Sequence, residues 1–429
     1  MSQAPAPAPT SPATDDASVI AVVSRKVPVL FGVLTVGLAL AILLSPQSGD
    51  TTFRLASRND FFTLPDITVP SQATAWLMVA LCAVCTGEAV RRYLASRPTP
   101  LWLSCLFAVL AMTGFLTWAA SGGTVPMVGL LGGSLTLAVP LVFGAMGGVL
   151  GERAGVVNIA IDGQLLAGAF AAAIIGSVTG SVWGGLIGAV VAGALVASVL
   201  GLFAITYYVD QIIVGVVLNV LVIGITSFMF QQVLAPNAAD LNAPPRLGAV
   251  AIPVLSEIPL IGPVFFRQSP IVYALYVAVA VVTFTLYRTR WGLRVRAVGE
   301  HPRAADTVGI DVLMTRYRNV VLGGIVAGIG GAYFTLGSTG AFEQEMTAGR
   351  GFIGLAAMIF GAWTPIGSFL ASLVFGFADT LQARFSILNV PIPSEFLLML
   401  PYIVTIVVVA GLVGRSRAPA ADGRPYKKG

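Results

Sequence analysis

"GERAGVVNIAIDGQLLAGAF", Gly151 to Phe170, interrupts an almost unbroken apolar chain with Glu152, Arg153, Asn158, Asp162, Gln164 and four glycines. A carboxylate at the centre of a membrane helix costs about 2.5–3.5 kcal/mol on insertion scales, so its placement needs a reason. Gly163 directly follows Asp162, at a point where a helix can break. Two readings stay open. Asp162 and Asn158 face a watery pathway or bond backbone groups freed by the break, or Glu152, Arg153 and Asp162 tie down a loop at the membrane surface. Gln164 and Asn219, an amide inside the apolar run 211–230, join them as candidate pathway residues.

Outward from this stretch the chain is apolar almost throughout. Charged residues make up 10% and hydrophobic ones 56%, against about 25% and 45–50% in soluble domains. Apolar runs fall at 27–44, 73–90, 101–119, 128–150, 156–176, 184–208, 211–230, 270–287, 319–338, 353–363, 366–381 and 396–414. The composition therefore predicts an all-α polytopic membrane protein with ten to twelve transmembrane helices, some of them interrupted. The run at 353–363 is short for a regular span, so it is either one of twelve crossings or re-entrant. Threading the runs places 18 of the 24 Lys and Arg on one side, which by the positive-inside rule makes that side, and both termini, cytoplasmic.

The chain divides into a disordered cytoplasmic tail (1–26, Ala/Pro-rich), N-terminal helices (27–119), a main transmembrane domain (120–414) and a basic cytoplasmic tail (415–429). The first residues lack the positive n-region of a signal peptide, so Pro28–Leu44 reads as a retained anchor. Two long outer loops, 45–72 and 231–269, suit either a partner or a cap over the bundle. Cys82 and Cys85 form a CxxC inside an apolar helix, where packing thiols are expected rather than a metal or redox pair. Gly324, Gly328 and Gly331 recur at spacings of four and three, the pattern that lets helices approach closely in lipid. Gly163–Gly193 and Gly351–Gly376 echo one another as an apolar run, a glycine-bearing break and a Gly/Ala-rich helix. The threading gives the two copies opposite directions, an inverted repeat of the kind that places a pathway between its halves.

The longest inner segment, 288–318, holds "RAVGEHPRAADTVGI". Pro302 suits a first helical turn, Asp306 lies close to its N-terminal half, and Gly309 suits its end. Ala304, Ala305 and Val308 give this short helix an apolar side, which fits docking into a groove on a partner.

Three ordered stretches, "ERAGVVNIAIDGQLLAGAF", "RAVGEHPRAADTVGI" and "GRGFIGLAAMIFGAWTPIGS", together resemble the permease subunit of ATP-binding-cassette importers. The similarity runs from about Leu130 to Gly411 and lies in the nucleoside and simple-sugar branch, related to ribose and branched-chain amino acid permeases. The resemblance implies an importer of nucleosides or related small polar solutes in the cell membrane. It also implies two cytoplasmic ATPase subunits, a second homologous permease and an extracytoplasmic substrate-binding protein as partners, with lipid around them. Arg296–Ile310 would be the coupling element, with Arg296, Gly299, Glu300, Pro302, Ala304, Ala305 and Gly309 carrying the contact. The chain departs from the family pattern at Asp162, Gln164 and His301, where Glu, Met and Asn are expected, and its spans before Ala120 are additional.

No GxxxxGK[ST] loop is present, so ATP would be bound and hydrolysed on a partner; no cofactor or metal is expected here. An enzyme is disfavoured by a single His and the lack of metal-ligand spacing. An ion-coupled carrier is the alternative transport class, with Glu88, Asp162 and Asp379 as its only candidate carboxylates. Within the importer class, simple sugars and branched-chain amino acids are the alternative substrates. No basic patch with interleaved aromatics points to nucleic acid.

Overall fold

A computed structural model describes residues 25–56, 64–387, 399 and 417–428. The expected span at 396–414 and nearly all of the N-terminal tail lie outside the described residues. Among those described, ten helices are long and apolar enough to cross a membrane.

Helices α1 (Lys26–Leu44), α2 (Ser71–Leu94) and α3 (Leu101–Ala119) form an N-terminal layer. A small sheet ties it to the rest: β1 (Asp50–Arg54) runs antiparallel to β2 (Ile67–Pro70) and parallel to β3 (Thr124–Pro126). Leu38, Ile42, Ala75 and Val79 of this layer pack with Leu130, Leu381 and Phe385 of the main domain. Cys82 and Cys85 are free and buried, as packing thiols should be.

The main domain begins with α4 (Met127–Glu152), α5 (Ile161–Thr179), α6 (Val182–Gly201) and α7 (Gln211–Met229), the last two continuing into π-helical turns. Asp210 starts α7 by accepting from the backbone N–H of Ile212 and Ile213, which satisfies donors that a helix start leaves open. The loop after α7 holds α8 (Ala238–Leu241), β4 (Val250–Ala251), α9 (Ile261–Phe265) and β5 (Arg267–Gln268), with β4 and β5 paired antiparallel. Then come α10 (Pro270–Arg288), α11 (Arg290–Glu300), α12 (Pro302–Thr307), α13 (Val312–Ala332), α14 (Arg350–Phe360) and α15 (Pro365–Ile387).

Glycines make α13 the central helix. A Cβ on Gly323 would meet the carbonyl of Gly147 on α4, one on Gly324 or Gly328 the backbone of α6, and one on Gly331 the carbonyl of Leu165 on α5. One helix thus touches three neighbours backbone to backbone, where dispersion rather than water exclusion drives association.

The short run near 353–363 does not turn back. With 11 residues, α14 rises about 16 Å, roughly half the bilayer core. It runs beside the second half of α4: Gly354 lies at Leu141, Met358 at Gly148, and Trp363 bonds Glu152. Residues 340–349 cover the other half, with Phe342 edge-on to Phe170 of α5. Loop and half-helix together make one interrupted crossing, and α15 starts at the far end beside Tyr287 and Arg288. The loop between α7 and α10 caps this crossing. Asn242 donates to the carbonyl of Phe342 and accepts its N–H (2.9 and 2.7 Å).

Candidate functional site

The break at 153–160 answers the question posed by its polar residues. Gln164 and Asn158 exchange amide hydrogen bonds (3.1 and 3.2 Å). Asn219 on α7 reaches across, accepting from the Gly163 N–H at 2.7 Å and donating to the Ile159 carbonyl at 2.9 Å. Asp162 accepts from the N–H of Gly351 (2.8 Å) and the hydroxyl of Thr347 (3.2 Å). The starts of α5 and α14 therefore meet at one carboxylate, and the two helices leave it in opposite directions. Both helix starts expose N–H groups and positive dipole ends toward it, which offsets part of the cost of burying a carboxylate.

All four expected pathway residues are at most 3% exposed. Their polar atoms are turned on one another and on broken-helix backbone, and none of the four lines the cavity described below. Partners that the sequence reading missed are Thr347 and Gln211, whose side-chain carbonyl accepts from Val157 N–H at 2.7 Å. Neither has a local signal, since the bonded groups lie far apart in the chain.

Glu152 and Arg153 hold the other end of α14. The indole of Trp363 donates to Glu152 (2.6 Å), while Arg153 donates to the carbonyls of Trp363 and Ala362 (2.8 and 3.2 Å). Ala362 and Trp363 both adopt left-handed backbone (φ 54° and 53°). Such residues persist only when surrounding bonds fix them, and Arg153 supplies two.

A cavity of about 270 Å³ opens between α4 and the π-helical continuation of α13, Tyr333–Thr339. Its wall combines Tyr333, Phe334, Ser338, Glu343 and Arg350 with Thr136 and Pro140 of α4. The Arg350 guanidinium sits over the Phe334 ring, 5.5 Å from its centroid. An aromatic face beside hydroxyls and one charge of each sign can hold a planar, polar solute. The sequence reading did not single out this cluster. The available signal was Glu343, Glu345 and Arg350 beside an apolar run.

At the opposite end of α14, the α11–α12 hairpin takes the form expected of it. Pro302 opens α12 at its first position, and Gly309 (φ 83°) follows its end. The expected contact surface is divided, however. Ala305 is 3% exposed and packs with Val298, Val312 and Tyr426 of the same chain. Gly299 is buried, and a Cβ there would meet the carbonyl of Arg153. Glu300 accepts from the N–H of Ala420 (3.2 Å), and Arg296 lies over the Tyr287 ring. Ala305 thus faces inward, because the C-terminal segment occupies that side. Ala304, Gly309 and Val308 (74% exposed) form the free face, and Pro302 is half-buried at its edge.

Comparison with known proteins agrees with this architecture. The family described as branched-chain amino acid transport system / permease component matches residues 130–409. The guanosine ABC transporter permease protein NupQ of Bacillus subtilis is 39% identical over 305 residues, which cover 69% of this chain and 95% of the relative. The nucleoside ABC transporter permease protein NupC of Lactococcus lactis is 38% identical over 305 residues, 68% of this chain and 95% of the relative. A putative glucose ABC transporter permease protein, TsgC13 of Haloferax volcanii, is 32% identical over 256 residues, 60% of this chain and 77% of the relative. No solved structure matches. With a matched segment that spans most of the chain and contains the helix break, the half-helix and the hairpin, this multi-pass membrane protein belongs to the permease-component family of ABC transport systems.

Proposed function

We propose that the chain is the pathway-forming subunit of an ATP-driven importer of nucleosides. The observation that carries this reading is its 38–39% identity, along 95% of their length, to two permeases named for guanosine and nucleosides. The cavity beside Phe334 and Arg350 supports it, since a stacked base and a hydroxylated sugar match an aromatic face with nearby hydroxyls and charges. In this reading Asn158, Asp162, Gln164 and Asn219 frame the path by holding the broken helices in place. A second permease covers the cavity, and an extracytoplasmic binding protein delivers the solute. Equilibrium binding of a panel of nucleosides, sugars and branched-chain amino acids to that binding protein tests the substrate class. Selective retention of sugars or amino acids would reject nucleosides.

The α12 face bearing Ala304 and Val308 docks on an ATPase subunit, which supplies the hydrolysis. An exposed valine that becomes buried at such a contact tolerates no charge, because an unpaired buried ion costs several kcal/mol. Val308→Arg is expected to abolish co-purification of the ATPase while membrane insertion stays normal. Unchanged co-purification would remove this face from the contact.

The hairpin and both termini lie on the cytoplasmic side. In a background without native cysteines, Arg303→Cys and Lys428→Cys are expected to be labelled only from the cytoplasm, and Ala239→Cys only from outside. Labelling of position 303 from outside would invert the orientation.

A further inference from the structure

The C-terminal segment 417–428 lies beyond the family match, which ends at residue 409, and it touches α11, α12, α13, the α6–α7 turn and the helix break. Ala421 N–H donates to the carbonyl of Gly299 (2.9 Å), and Ala420 N–H to Glu300 on α11. Tyr426, 7% exposed, packs under α12 against Ala305, Val298 and Val312, and shares a cavity wall with Asp306. Lys427 sits over the Tyr208 ring in the α6–α7 turn (5.2 Å to its centroid). Gly423 lies against Val157 in the helix break, and the Asp422 carboxyl faces Glu152 at the end of α4.

Two features tie the main domain to this segment. Arg316 on α13 is 1% exposed, and its one hydrogen bond among the described residues goes to the carbonyl of Arg424 (2.8 Å). Without the segment a buried guanidinium would lose that partner. Burial also pushes the Asp422 carboxyl up to about 6, although bonds from Glu152 and the Gly423 N–H and the charge of Arg316 oppose the rise.

We propose that residues 417–428 form a strap that carries movement of the docking hairpin to the helix break, with Tyr426 as its positioning residue. The inference rests on the importer reading above. A partner pressing on Ala304 and Val308 pushes α12 onto Tyr426 from the other side. The strap then joins that ring along the chain to Gly423, which packs on Val157 of the break, beside the direct contact of Gly299 on α11 with Arg153 and Gly155. A cavity of about 270 Å³ between Tyr426, Asp306 and the start of α13 leaves the ring room to shift.

The test uses the whole complex in proteoliposomes and reads nucleoside moved per ATP hydrolysed. Tyr426→Ala removes the ring under α12, and the ratio is expected to fall about tenfold, within the usual range of coupling between sites. Tyr426→Phe keeps the ring and is expected to keep the ratio. Inserting two glycines between Gly423 and Arg424 leaves both anchors in place but slackens the link, so it too is expected to lower the ratio. A wild-type ratio in the insertion variant, or an equal loss of hydrolysis and uptake in Tyr426→Ala, would overturn the strap. A wild-type complex that hydrolyses ATP yet moves no nucleoside would instead overturn the importer reading.

Discussion

Gly328→Leu is expected to leave no folded protein in the membrane. Gly328 lies where α13 meets two helices at once. A Cβ there would overlap the carbonyl of Ala189 on α6, and a Cβ on the facing Gly168 of α5 would overlap Gly328 itself. Both obstacles are backbone, so no rotamer change can make room. Overpacking a rigid core costs about 1–3 kcal/mol or more, and separating two helix pairs multiplies the lost contacts. Net stabilities of about 5–15 kcal/mol leave little margin for that. Gly224 supplies the control: a Cβ there meets nothing within 4 Å, so Gly224→Leu is expected to be tolerated. Yield and monodispersity of detergent-extracted protein measure both, and a well-folded Gly328→Leu protein would show that α5, α6 and α13 do not meet this closely.

Asp162→Ala is expected to lower thermal stability and transport together. The substitution strips the acceptor from Gly351 N–H and Thr347 hydroxyl, both in buried surroundings. Each unpaired buried group costs about 1–3 kcal/mol, and the charge favoured by two helix starts is lost as well. Asp162→Asn keeps a side-chain oxygen for Gly351 and is expected to be milder. Melting of the purified permease separates the outcomes. Lost transport with unchanged melting for Asp162→Ala would return this carboxylate to direct contact with the solute.

The two cases differ in how far the sequence foretold them. The glycine spacing at 324, 328 and 331 repeats along one helix, so its role in close packing was legible locally. The spans were legible for the same reason, because hydropathy over some 20 residues is a local property. Asp162 was recognised as out of place, but its partners Thr347 and Gly351 lie nearly two hundred residues away and have no local signal. The sequence left the run at 353–363 open between a crossing and a re-entrant segment, because an 11-residue helix is too short to span by itself. Nothing in the apolar count reveals that the preceding loop completes the crossing, clamped by Asn242. Ala305 shows the limit of amphipathic patterns. Periodicity identified an apolar side on α12, but could not tell that Tyr426, over a hundred residues later, already covers part of it.

Glu343, Arg350, Tyr333 and Phe334 escaped notice for a related reason. Their wall forms only when the π-helical continuation of α13 and the loop before α14 are brought against α4. The sequence places Tyr333 and Phe334 in one stretch and Glu343 and Arg350 in another, and only the fold joins them.

Uptake of labelled nucleoside into proteoliposomes bearing the permease with the proposed ATPase, second permease and binding protein tests the central claim most directly. ATP supplied on the hairpin side, with no ion gradient imposed, is expected to drive accumulation, and excess unlabelled nucleoside but not glucose or leucine should compete. Accumulation that needs an ion gradient and proceeds without ATP would contradict the account.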